Sequence, residues 1–185
     1  MRALPIAVTV LAAALALTSC DGGGSGSSSS SGKSGDTTGS AKKAAVPACV
    51  IGDTGIQVGP ANAATAAGDT GNVPVTLTNK GDRCTLKGFP GLSVEAAGTS
   101  AKIAADTSAA PEELTLSKGD TASFTITYVR GAEGDAKTLA VKTLKIGLPG
   151  ADATQSFPWS YGPVAGKGSA TEPNASVTPF QHAGD

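Results

Sequence analysis

Apolar residues are distributed along the chain in three regimes. Residues 4–17 form an apolar run interrupted only by Thr9, residues 21–46 carry no apolar run before Ala44, and from residue 47 onward apolar and polar positions alternate in twos. Alternation of that kind places successive side chains on opposite faces of an extended strand. Val73, Val75 and Leu77 alternate with Pro74, Thr76 and Thr78, and Asn79-Lys80-Gly81-Asp82 then reads as a turn. Pro74 has no N–H to donate, which predicts an edge strand or a strand start there. Ala122, Phe124, Ile126 and Tyr128 alternate with Ser123, Thr125 and Thr127 and give the clearest strand, half buried and half solvated. Shorter candidates lie at 56–58, 92–94, 101–104, 114–116, 139–148 and 175–180. Along 139–148 the inward parity changes, because Leu139 and Val141 share one face whereas Leu144, Ile146 and Leu148 share the other. A bulge near Lys142-Thr143 or a switch between sheets is predicted. Helical periodicity is absent after residue 46, apart from single turns predicted at 62–67 and 111–114. Short strands separated by frequent turns predict an all-β chain folded as an antiparallel sandwich.

The first regime, preceded by Arg2, is too short to cross a hydrocarbon core of about 30 Å at about 1.5 Å per residue. It reads as a signal peptide over residues 1–19. Leu17-Thr18-Ser19-Cys20, followed by Asp21-Gly22-Gly23, resembles a bacterial lipobox: Leu three residues before the Cys, a small residue next to it, a flexible stretch after it. On that resemblance Cys20 receives a diacylglyceryl group and becomes the mature N-terminus. The expected location is the extracytoplasmic face of the bacterial cell membrane, with the membrane itself as first partner. The alternative is an ordinary secretory signal in which Cys20 is a bystander. Two or more acyl chains anchor stably where one does not, at about 0.8 kcal/mol per buried CH₂. Residues 20–46 then form a tether, since 21–46 hold 7 Gly and 8 Ser and cannot offset their ordering entropy by burial. As a Gly/Ser coil it spans about 28 Å. Within it, residues 27–34 read S-S-S-S-S-G-K-S, close to a phosphate loop but lacking its first Gly and the strand and helix that would hold it.

Composition sharpens the remainder. Of 185 residues, those from 47 onward suit a single domain, expected over 47–182. The formal charge of the chain is −1, and no basic footprint invites nucleic acid. With Cys20 assigned to lipid, Cys49 and Cys84 remain as an exported pair that can close a disulfide. A reactive or metal-binding thiol pair is the rival reading. A single His leaves no histidine cluster for a metal, and none is expected. Asp53, Asp69, Asp82, Asp106 and Asp120 fall in turns, where Asp bonds its own backbone; a calcium site built from several of them is the alternative.

Catalytic patterns are sparse. His182, the one base of the usual kind, lies near the C-terminus in a segment expected to fray. Ser30-x-x-Lys33 lies in the tether, Glu112 and Glu113 are adjacent, and no G-x-S-x-G occurs. The reading is a non-enzyme without cofactors. The best recognition candidates are Phe157, Trp159 and Tyr161, whose spacing of two puts them on one face of an extended chain. They close the core or, alternatively, form an exposed aromatic platform for a sugar or peptide.

Cys49, then Val75-Thr76-Leu77-Thr78-Asn79, Cys84-Thr85-Leu86-Lys87-Gly88-Phe89-Pro90-Gly91-Leu92, Leu116-Ser117-Lys118-Gly119-Asp120-Thr121-Ala122-Ser123-Phe124 and Val177-Thr178-Pro179-Phe180 form a recognisable series. It resembles the domain-of-unknown-function 4232 family, common in secreted actinobacterial lipoproteins, over residues 47–182. The resemblance implies an immunoglobulin-like antiparallel β-sandwich and brings no activity or catalytic residues. Many members carry a second cysteine pair in the C-terminal half, which is missing here. The expectation is a lipid-anchored lipoprotein serving as a non-catalytic binding or cell-envelope module, with an unknown protein or cell-wall partner. The alternatives are an inhibitor or decoy of an external hydrolase, acting through a protruding loop at 95–111, and a carboxylate-dependent hydrolase.

Overall fold

The computed structural model describes residues 45–184; the expected signal peptide, Cys20 and nearly all of the tether lie outside the described residues. A short 3₁₀ turn at Ile51–Asp53 leads into the first of two main sheets. In it β1 (Thr54–Val58), β2 (Thr70–Asn79), β8 (Thr121–Val129), β13 (Ala175–Val177) and β6 (Ala104–Ala105) lie side by side, and β14 (Gln181–His182) also pairs with β8. The second sheet has the order β11 (Thr154–Pro158), β10 (Thr143–Gly147), β4 (Gly91–Ala96), β5 (Thr99–Lys102). Two ribbons complete the fold, β9 (Thr138–Leu139) with β12 (Val164–Ala165) and β3 (Cys84–Lys87) with β7 (Glu113–Leu116). All pairings between these strands are antiparallel except β13 with β6. The architecture is an all-β, antiparallel, sandwich-like fold.

The alternation seen in the sequence explains the core. On β8, Ala122, Phe124, Ile126 and Tyr128 are all buried, and their intervening neighbours are half-exposed. Register then stacks like with like: Val73 lies opposite Ile126, Val75 opposite Phe124 and Leu77 opposite Ala122. Cross-strand pairs of this kind are the unit of sheet stabilisation. In the second sheet Val94 faces Leu144 and Leu92 faces Ile146, again all buried. Each such side chain contributes about 1.5–3 kcal/mol on burial. Phe180 plugs this core edge-on to Phe124, with ring centroids 5.3 Å apart.

Several expectations change. Pro74 sits in a strand with neighbours on both sides rather than at a sheet edge. Its carbonyl accepts from Gly59 N–H on the β1 side, so its missing N–H points the same way. The ladder with β1 ends there, at Val58 opposite Val75, so the missing N–H falls at the end of that pairing and not within it. The parity change along 139–148 is a switch between sheets, because Leu139 belongs to the β9 ribbon and Leu144 to β10. Neither 62–67 nor 111–114 forms a helical turn. His182 does not lie in a frayed tail: its backbone pairs with Ala122, and its side chain is exposed. Residues 95–111 are not a protruding loop, since a tight turn at Ala97-Gly98 returns the chain as β5 and then β6, with Ile103 buried between them.

Candidate functional site

The end of β8 carries a cluster of buried and half-buried polar contacts. Tyr128 is fully buried, and its hydroxyl donates to Tyr161 O at 2.7 Å while accepting from Ala64 N–H at 3.2 Å. Two residues on, Arg130 Nη1 donates to Ala64 O at 3.1 Å. Both backbone groups of Ala64 are therefore held from β8 and the residue just after it. Trp159 closes the other side, its Nε1–H donating to Gly162 O at 2.7 Å and its backbone N–H to Lys142 O at 2.8 Å. Its ring meets Tyr128 and Tyr161 edge-on, at 5.2 Å and 4.9 Å. Such contacts add about 0.5–1.5 kcal/mol beyond area burial and fix the ring's orientation. Gly162 has φ +89°, and any Cβ there would collide with the Arg130 guanidinium. The positive φ favours glycine here, and a side chain would also push the guanidinium aside.

This cluster walls a cleft of about 620 Å³, whose lining includes Arg130, Glu133, Asp135, Lys142, Trp159 and Ser160. Arg130 is half-buried, and among the described residues no carboxylate lies within 4.0 Å of it; the ion pair found there is Lys145 with Glu95 at 2.7 Å. Asp69, whose carbonyl accepts from the Arg130 N–H, is held below its ordinary carboxyl pKa of 3.8. The causes are the Ala66 N–H first and then the Thr65 hydroxyl, with the Arg130 charge a minor contributor.

The sequence-derived candidates are placed as follows. Trp159 is 6% exposed and belongs to the core, while Phe157 and Tyr161 are half-buried against it. The three form no open stacking face, because Trp159 is buried and Tyr128 and Tyr161 pack edge-on against its ring. Trp159 instead contributes to the cleft wall. Cys49 and Cys84 are joined by a disulfide with Cα atoms 4.9 Å apart, and both are buried, which displaces the free-thiol reading. Three of the five turn aspartates bond nearby backbone N–H groups: Asp69 that of Ala66, Asp106 that of Ser108 and Asp120 that of Ser117. Among the described residues no three His, Cys, Asp or Glu side chains converge as metal ligands, and no helix is long and apolar enough to cross a membrane. Cys20 lies outside the described residues. Arg130, the Tyr128 hydroxyl and Gly162 escaped the sequence reading. A signal for the first was available, since Arg130 continues the inward phase of 122, 124, 126 and 128.

Fold and site together define an antiparallel β-sandwich with a preformed polar cleft at one end of its longest internal pairing. A family model described as Domain of unknown function (DUF4232) matches residues 49–181, and the chain belongs to that family. No curated protein and no solved structure is similar enough to match.

Proposed function

We propose that the chain is a lipid-anchored extracytoplasmic protein whose β-sandwich is a non-catalytic binding module, with the cleft beside Arg130 as its binding site. The observation that carries this reading is the rigid hydrogen-bonded wall formed by Tyr128, Arg130 and Trp159 around a cleft of about 620 Å³. Ligand sites are typically preformed concavities of about 300–1,000 Å³, and a wall already held in place lowers the ordering cost of binding. The disulfide supports an oxidising compartment. The lipobox-like sequence ending at Cys20 and the Gly/Ser-rich stretch after it support a tethered domain reaching partners in the envelope.

In-cell photo-crosslinking tests the proposal. A crosslinking side chain at Ser160, exposed beside Trp159, is expected to trap a specific ligand or partner in the cell envelope. The same group at Lys118, in the turn before β8, lies at the far end of a nine-residue strand, about 30 Å away. No product is expected from that position. Equal trapping from both positions, or none from either, contradicts the proposal.

A further inference from the structure

The inward face of β8 ends in an anomaly. Ala122, Phe124, Ile126 and Tyr128 fill four successive inward positions, and Arg130, one residue past the end of β8 at Val129, follows in the same phase. Arg130 is half-buried, and the guanidinium nitrogens without a protein partner reach the solvent of the cleft, where they are open to an anion. The guanidinium presents five N–H donors, of which, among the described residues, one is used, by Ala64 O. Among the described residues no carboxylate within 4.0 Å takes the rest. Gly162, lacking a side chain, leaves the guanidinium room where it stands. Around it the cleft carries one further cation, Lys142, and two exposed carboxylates, Glu133 and Asp135. The Lys137 N–H donates to Asp135 Oδ1 at 2.7 Å and so fixes that carboxylate in place.

Two positive and two negative groups lining one cleft match neither a neutral sugar nor a multiply charged anion such as phosphate. A phosphate would gain Arg130 and Lys142 and be repelled by Glu133 and Asp135. A ligand carrying one carboxylate and one ammonium group meets all four. We propose that the cleft binds an amino acid or short peptide in zwitterionic form, its carboxylate seated on the Arg130 guanidinium with Lys142 in support and its ammonium facing Glu133 and Asp135. Arg is suited to the first role because its planar fork matches a carboxylate in a bidentate pair. This inference rests on the cleft being the binding site and specifies what it binds.

Trp159 is the one tryptophan of the chain and borders the cleft, so its fluorescence reports occupancy directly. The probes, titrated into the full mature chain, are trialanine, trialanine amide, N-acetyl-trialanine, glucuronic acid and glucose. Trialanine is expected to give a saturable emission change. The amide, the acetylated peptide and both sugars are expected to bind at least tenfold more weakly, as is trialanine with Arg130→Gln. Lys142→Gln, a change at an exposed residue, is expected to weaken trialanine several-fold, and it keeps the test valid if Arg130→Gln does not fold. Equal binding of acid and amide, binding indifferent to both substitutions, or preference for glucuronic acid overturns the inference while leaving the cleft as a binding site. No saturable change with any probe overturns the inference. Joined to an absence of crosslinks from Ser160, it overturns the cleft reading as well.

Discussion

At the scale of single residues, the fold is pinned by polar groups that the alternation of apolar positions does not reveal. Asn79 is 1% exposed, yet every part of its side-chain amide is used. Its Nδ2 donates to Asp82 O at 2.8 Å and to Leu116 O at 3.0 Å, and its Oδ1 accepts from Gly81 N–H at 3.0 Å. The residue thereby ties the turn after β2 to the end of β7. Asn79→Ala removes three bonds, the one to Leu116 O buried, at about 1 kcal/mol each. Denaturant unfolding is expected to show a loss of about 3 kcal/mol. Ala97 is the converse case, a non-glycine residue at φ 46° in the two-residue turn between β4 and β5, followed by Gly98 at φ 83°. Two positive φ values in succession favour Asn-Gly over Ala-Gly. Ala97→Asn is therefore expected to stabilise by about 0.5–1 kcal/mol, measured in the same assay. In sequence, Asn79 is visible as a turn residue, and its burial follows only once β7 is brought beside it.

At the scale of elements, the disulfide joins the chain's entry point to β3. Cys49 N–H donates to Thr85 O at 2.9 Å and Thr85 N–H to Pro47 O at 2.7 Å, so the covalent bond sits within a short parallel contact. Cys49 and Cys84 are 35 residues apart, and removing a bridge over such a loop costs about 2–4 kcal/mol. The double Cys→Ser variant is expected to lose that amount and to show faster hydrogen exchange at the Thr85 amide. Unchanged stability together with unchanged exchange contradicts this role. Elements were legible in the sequence wherever one face is buried for several residues. β8 is read from its alternation because all four inward residues from Ala122 to Tyr128 are buried. β3 has four residues and little room for alternation to show. The position of β2 inside its sheet depended on where β1 ends, a non-local fact that Pro74 by itself points away from. The 139–148 stretch was legible as a conflict of parity, and a change of sheet resolves it.

At the scale of the whole molecule, the site was less legible than the fold, because its parts come from distant places in the chain. Ala64, Tyr128, Arg130, Lys142, Trp159 and Gly162 span nearly a hundred residues and meet only after both sheets form. Trp159 was visible as a candidate, while its place in the core and cleft wall depends on contacts with Tyr128 and Lys142, distant in the chain. Arg130 was the legible clue, a charge in an apolar phase, and sites where a local rule breaks are where function concentrates. Outside the described residues, the apolar segment, Cys20 and the Gly/Ser-rich stretch make the tethered reading a chemical prediction. The most direct test is the intact mass of the chain purified from membranes of its native host, measured before and after thiol alkylation without reductant. The account predicts a chain beginning at Cys20 and carrying a diacylglyceryl group, two hydrogens lighter for the Cys49–Cys84 bond and unchanged by the alkylating agent. A chain that retains residues 1–19, an unlipidated Cys20, or alkylation at Cys49 and Cys84 contradicts it.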